Sequence, residues 1–284
     1  MAHKNIFEDV LIKYHLKDLD ENMYWNDNND AIIVYVKENI NFEEIKPELL
    51  VNSLLEMNNY KNYFWFLSPS FNISLVRKLI NSGFIILSGK IYINKYNKKW
   101  LWDDKYQNKK YFLSKETMFA MLYNKYPIIF LDNVHEPKTA LRSLYKYTLK
   151  VDSDFDKIVD KCSEIHGNNW LSEKMKKCLK ELYRKNDLNF KFISFALYRN
   201  NELKAGEFGC TMGKMYISYS GYYEESGAGT IQMVKMFRHL KASGFVCCNL
   251  FGADGTSEKY NYKYRFGAID LDLKEYFKMF KVNA

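Results

Sequence analysis

No run of apolar residues in this sequence approaches the roughly 18 needed to span a bilayer, and the opening MAHKNIFEDVLIKYHLKDLDE sets acids among its apolar side chains. We expect neither a membrane span nor a signal peptide. Prolines number only 4, at Pro47, Pro69, Pro127 and Pro137, so the second half lacks this breaker and can be read from periodicity alone. The 5 cysteines (Cys162, Cys178, Cys210, Cys247 and Cys248) form an odd set without a CxxC spacing. That excludes a disulfide framework and points to a reduced, cytoplasmic chain in which thiols pack as small hydrophobes. The 5 histidines (His3, His15, His135, His166 and His239) show neither zincin nor finger spacing, so no metal is expected.

What is present is a folding composition: 284 residues, 47% hydrophobic and 17% aromatic. At the usual ~150 residues per domain this length predicts about two domains. The net charge of +8 favours an anionic partner without choosing among nucleic acid, phosphate and acidic surfaces. Lys, Asn, Ile and Tyr are abundant throughout, so groupings carry more weight than single residues.

In the first half, Ala31 to Val36 reads as a strand, and Ile73, Val76, Arg77 and Ile80 follow a helical period that stops at Gly83. A small α/β domain over 1–139 is expected. Within it, Lys90 to Lys115 interleaves lysines with Tyr92, Tyr96, Trp100, Trp102, Tyr106 and Tyr111. Cations that neutralise phosphates beside rings that stack bases make an RNA surface; a solvated β-hairpin is the alternative.

After Thr148 the pattern sharpens. Asp152 or Ser153 caps a helix with an inner stripe of Phe155, Ile158, Val159, Cys162 and Ile165, and Ser172 caps a second helix whose outer face carries Lys174, Lys176, Lys177, Lys180, Arg184 and Lys185. That basic face is a second RNA candidate. Three β-rich runs, Phe190 to Arg199, Leu203 to Thr211 and Lys214 to Tyr223, read as an antiparallel meander, followed by a helix from Gly229 to Ala242 and a strand from Phe245 to Leu250. This is an α+β order with a mixed β-sheet, and it matches the N-acyltransferase (GNAT-like) plan over 140–284.

In coenzyme A-dependent enzymes of that plan, a glycine turn before the central helix holds a pyrophosphate at the helix N-terminus. Here Gly227 and Gly229 fit, but Glu224 and Glu225 precede them and would repel it. His166 and Cys162, four residues apart on one helix, invite a thiol-protease reading; packing and a helix end explain them better, since no third orienting group is visible.

The C-terminal half resembles the leucyl/phenylalanyl-tRNA protein transferases. The resemblance runs through the Ser143 and Lys146 region, the helix from Phe155 to Cys162, Asn169-Trp170-Leu171 where the family has Thr-Trp-Ile, Leu179 and Tyr183, Phe208-Gly209, Gly213, Gly244-Phe245, and Arg265-Phe266-Gly267-Ala268 where the family has Ser-Leu-Gly-Ala. In the first half it is faint, confined to Leu75 to Gly83. A diverged, eukaryote-like member is expected. The family's Gly-Glu-Ser-Met-Phe-Ser falls on Ser218 to Tyr223, which puts Tyr219 where the glutamate stands, and its Asp-Cys-Gln falls on Asn249-Leu250-Phe251. The resemblance implies a monomeric enzyme that moves an amino acid from aminoacyl-tRNA, its co-substrate in place of a cofactor, to the N-terminus of an acceptor protein or peptide.

Such a transfer needs a positioned amine, donors for the tetrahedral oxyanion and a proton for the leaving ribose oxygen. Asn249, Tyr219 and Ser220 are the catalytic candidates, and Trp170 is a ring for the terminal adenosine. Glu207, Glu224 and Glu225 are candidates for attracting a cationic acceptor terminus. Met215, Tyr222, Met233, Phe237 and Phe251 would enclose a Leu- or Phe-sized side chain. Two alternatives remain: an inactive acyltransferase-like module that binds RNA or a protein terminus, and a coenzyme A-dependent N-acetyltransferase.

Overall fold

A computed structural model of the chain describes residues 31–35, 46–56, 63–94, 100–101, 112–123, 125–167, 170–185, 190–251 and 261–283. It divides into two compact units, one of residues 1–124 with 169–178 and one of 125–168 with 179–284. Among the described residues no helix is long and apolar enough to cross a membrane.

The first unit is built on a five-stranded sheet of order β1-β2-β5-β3-β4, formed by β1 (Ala31–Tyr35), β2 (Tyr63–Ser68), β3 (Ile85–Asn94), β4 (Trp100–Leu101) and β5 (Phe112–Leu122). Its helices are α1 (Pro47–Glu56) and α2 (Ile73–Asn81). The Asn72 side chain caps α2 by accepting from the Leu75 N–H at 3.0 Å, and Leu75, Val76, Leu79 and Ile80 form its buried stripe. Gly83, at φ 86, ends the helix where the sequence places the stop. The basic stretch Lys90 to Lys115 falls largely outside the described residues.

The second unit carries a seven-stranded sheet of order β12-β6-β11-β10-β9-β8-β7. Its strands are β6 (Lys125–Phe130), β7 (Thr148–Val151), β8 (Phe190–Arg199), β9 (Glu202–Met212), β10 (Met215–Tyr223), β11 (Cys247–Asn249) and β12 (Ile269–Asp272). β6 precedes the 139/140 boundary expected from the sequence, yet it pairs with β11 and β12 in this sheet. Between them run α3 (Lys138–Leu141), α4 (Phe155–His166), α6 (Ala228–Ala242), α7 (Asn261–Arg265) and α8 (Leu273–Asn283), and of α5 (Glu173–Arg184) the residues from Leu179 belong here and those to Cys178 to the first unit. The meander β8-β9-β10, the crossover helix α6 and the parallel strand β11 give the GNAT-like order.

The sheet's two faces are covered by different helices. α4 sets Phe155 edge-on to Phe192 and Phe208, at 6.0 and 5.7 Å between centroids, while α6 buries Val234, Phe237 and Leu240 with Phe195, Leu197, Ala205 and Tyr216. α4 lacks the cap expected from Asp152 or Ser153. Asp154 takes the N-cap position in the left-handed region at φ 55 without a side-chain cap, its carboxylate accepting instead from the Tyr198 hydroxyl at 2.7 Å, while Asp152 is held by Lys191. The cationic face of α5 is largely neutralised: Lys174, Lys176, Lys180, Arg184 and Lys185 each lie within ion-pair distance of a carboxylate.

Gly209 shows how tightly the meander is packed. A Cβ there would sit 2.2 Å from the Ile217 carbonyl oxygen and 2.6 Å from the Tyr216 hydroxyl, neither of which can retreat. Gly209→Ala should therefore destabilise the protein by about 3 kcal/mol, read as a lower denaturant midpoint with an unchanged slope.

Candidate active site

β10 and β11 run parallel and pair only through Met215, Tyr216 and Ile217 against Cys247, Cys248 and Asn249. Beyond that point β10 continues to Tyr223 while β11 ends, so the strands part at their carboxyl ends, the usual place for a ligand crevice in sheets with parallel strands. A bulge between Ser218 and Ser220 shifts the register of β10 against β9 at the parting. The extra residue turns Tyr219 and Ser220 toward the same face. Tyr219 packs among Phe192 and Phe208, at 5.4 and 6.1 Å, and the Ser220 hydroxyl bonds to Cys162 of α4. Burial pushes that thiol up to about 12, far from a nucleophilic thiolate, and His166 directs Nε2 at the Gly221 carbonyl 2.7 Å away, so the two do not form a protease pair.

Asn249 is fully buried where β11 stops. Its Oδ1 accepts from the Phe251 N–H at 2.9 Å, and among the described residues its Nδ2 has no hydrogen-bond partner at normal geometry. The amide still approaches the Tyr276 hydroxyl of α8 closely enough to oppose the upward push of burial on that phenol. Phe251 is held at φ 61 with its ring 5.0 Å from Tyr219, edge to face. Lys263 of α7, only 2% exposed, donates from Nζ to the Phe251 carbonyl. The Phe251 peptide is thus gripped from both ends. Sequence reasoning missed Lys263 and Tyr276: Lys263 stands just before Arg265-Phe266-Gly267-Ala268 but in a Lys- and Tyr-rich stretch, and Tyr276 in a helix rich in apolar and Lys residues.

The other candidates are distributed differently. Glu207 lies on the α6 face, 4% exposed, accepting hydrogen bonds from the Tyr216 hydroxyl at 3.3 Å and from Ser218 and Gln232. Burial pushes its carboxyl up to about 7 against the opposing effect of those neutral donors, and among the described residues no cation offsets that push. A group so enclosed is not posted at the surface to attract an acceptor terminus. Glu224 pairs with Lys161 at 3.4 Å, and Glu225 with Arg199 at 2.7 Å and with the Tyr147 hydroxyl. Both carboxylates are therefore already engaged by groups of this chain. Met233 and Phe237 belong to the core under α6, where Phe237 meets Phe266 at 5.5 Å, while Met215 and Tyr222 are buried in β10. Trp170, half-buried, is part of the first unit, where its carbonyl accepts from the Ser88 N–H at 2.8 Å and from Ser88 Oγ at 2.9 Å.

The glycine turn before α6 is occupied by the chain itself. A Cβ on Gly229 would come 2.9 Å from the Tyr223 ring, so this glycine makes room for an aromatic side chain. The arrangement offers a hydroxyl pair and a buried amide at the mouth between two strands, which can donate to a developing oxyanion.

The profile of the leucyl/phenylalanyl-tRNA protein transferases matches residues 128–281. A leucyl/phenylalanyl-tRNA protein transferase of Campylobacter jejuni (strain RM1221) is 24% identical over 155 residues, 54% of this chain and 66% of that protein. One of Pseudomonas putida (strain W619) is 24% identical over 124 residues, 42% of this chain and 53% of that protein. The matched part thus spans between half and two thirds of these relatives. Among solved structures, FemX superposes with a TM-score of 0.42 at 10% identity, over 87% of this chain and 80% of that one. With its profile matched from β6 through α8, over more than half of its length, the chain belongs to the leucyl/phenylalanyl-tRNA protein transferase family.

Proposed function

We propose that this protein transfers an amino acid from aminoacyl-tRNA to the N-terminal amine of an acceptor protein or peptide. The observation that carries the reading is the parting of β10 and β11, with Tyr219, Ser220 and Asn249 standing at the strand ends, in a chain of this family. In the reaction the acceptor nitrogen attacks the ester carbonyl, the new C–N bond forms, and the bond to the ribose oxygen breaks as that oxygen takes a proton. The ester is already activated, so alignment and oxyanion stabilisation supply most of the rate. Asn249 Nδ2 is the best-placed donor because it is buried and already oriented by Oδ1.

For the side chain transferred, the Phe251 ring beside Tyr219 at the strand parting supports an apolar residue such as Leu or Phe, whereas Met233 and Phe237 are taken up in the α6 core on the other face. Glu207, enclosed on the α6 face, is not part of that surface. The test is incubation with tRNAs charged with Leu, Phe, Lys or Arg and with peptides of different N-termini, followed by mass spectrometry. Extension of a peptide by one residue is the expected result, and the donor that works identifies the residue transferred. No extension with any donor would overturn the transfer reading in favour of a binding module.

A further inference from the structure

A groove of about 610 Å³ runs along the second unit between β7 and α6. Leu149 and Val151 form part of its floor. One wall is the face of α6 that presents Lys235, Arg238 and His239, spaced i, i+3 and i+4, and the other is topped by Tyr145, whose ring is 82% exposed. Lys146 holds its ammonium 5.7 Å from the centroid of that ring.

The charge in this groove does not balance. Arg238 is bound by Glu136 at 2.6 Å through each of two nitrogens, whereas Lys235 has no ion-pair partner among the described residues. Burial and then the neighbouring Arg238 hold the Lys235 ammonium below its usual range. An anion entering here would relieve that repulsion. No residue lining the groove is acidic.

The groove also reaches the carboxyl end of β10. Its Tyr147 hydroxyl donates to Glu225, in the turn that joins the end of β10 to the start of α6. From there Lys235 and His239 lie roughly 10 and 17 Å along the helix axis, at 1.5 Å per residue. A polyanion whose reacting end sits where β10 and β11 part can run along this path. An exposed ring beside cations is what a nucleic acid strand uses and a plain acidic peptide does not need.

We propose that this groove binds the unpaired RNA strand leading to the esterified 3′ end, with phosphates against Lys235 and Arg238 and a base stacked on Tyr145. The assignment rests on the aminoacyl-tRNA reading for its donor. It also places the RNA away from α5, whose cations are mostly paired with carboxylates of the chain.

The experiment measures binding of a fluorescein-labelled single-stranded RNA by anisotropy across a salt series, for wild type, Tyr145→Ala and Lys235→Glu. Both side chains are substituted from the surface of a groove, and circular dichroism with thermal melts checks that each variant stays folded. Tyr145→Ala should weaken binding about 5- to 100-fold. Lys235→Glu should lower the slope of log K against log salt by about 0.7 for each phosphate that is no longer neutralised. Unchanged affinity and slope in both variants would overturn the groove, as would equal, Tyr145-dependent binding of a polyglutamate peptide. Transfer is then assayed with charged tRNA and with 3′-aminoacyl-adenosine, which carries no strand to fill the groove. A larger decrease with charged tRNA supports the proposal, and an equal decrease with both donors counts against it. Should wild type transfer from neither donor while RNA binding still depends on Tyr145, the transfer reading falls and the groove stands.

Discussion

Asn249→Ala should lower the single-turnover rate of transfer by about 10- to 1000-fold, the range for loss of one donor aimed at a developing oxyanion. Two functions of this amide can be separated. Its Oδ1 fixes the Phe251 N–H, and its Nδ2 is the buried donor at the strand parting. Asn249→Asp keeps an acceptor for Phe251 and replaces the amide donor, so it should lose most of the rate, and a carboxyl fully buried there should also lower the melting temperature. Asn249→Ala loses both, so its melting temperature should fall as well. A full rate in the Asp variant would assign Asn249 to holding the Phe251 turn and leave oxyanion stabilisation to Tyr219 and Ser220.

The second large effect belongs to Glu207. Its carboxyl titrates near 7 in the folded protein against an ordinary value of 4.5, so the folded state holds its proton over a range in which the unfolded chain has released it. Below pH 4.5 both states are protonated and the burial is tolerated. As pH rises from there toward 7 the unfolded state ionises first, and stability is lost, by about 3 kcal/mol once both states are charged. Glu207→Gln preserves the hydrogen-bonding shape and removes the titration. Denaturant midpoints compared between pH 5 and 8 should therefore diverge, wild type declining relative to the variant. Parallel midpoints over that range would show that the carboxylate has a compensating cation.

The periodic elements of the second unit were legible because local pattern and tertiary role agree there. The stripe of α4 from Phe155 to Cys162, the three strands of the meander and the helix after Gly227 all follow the sequence closely, but Ile165, expected inside, is 51% exposed in the last turn of α4. β6 was not legible: it contains Pro127, which cannot donate to a ladder and demotes a run on sequence grounds, yet the strand is central and Asp270 simply faces the proline. The run Phe245 to Leu250 reads as one strand, but only Cys247, Cys248 and Asn249 pair, since β10 offers no further register. In the site, order along the chain brought Tyr219, Ser220 and Asn249 into view. Strict alternation would set Ser220 on the face of Ser218, and only the bulge puts it with Tyr219. The surroundings of Glu207 depend on Tyr216, Ser218 and Gln232, contributed by another strand and a helix, and no local reading assembles them.

The five thiols have a practical consequence. All are buried and none forms a disulfide, and burial raises those of Cys162, Cys210, Cys247 and Cys248 well above the ordinary range. An alkylating reagent can react with them only when the surrounding structure opens. Cys210 and Cys248 lie in the central strands, Cys162 and Cys178 on α4 and α5, so labelling followed by peptide mapping reads the opening free energy separately for sheet and helices. The native chain therefore carries, without any added probe, its own set of internal clocks for local unfolding.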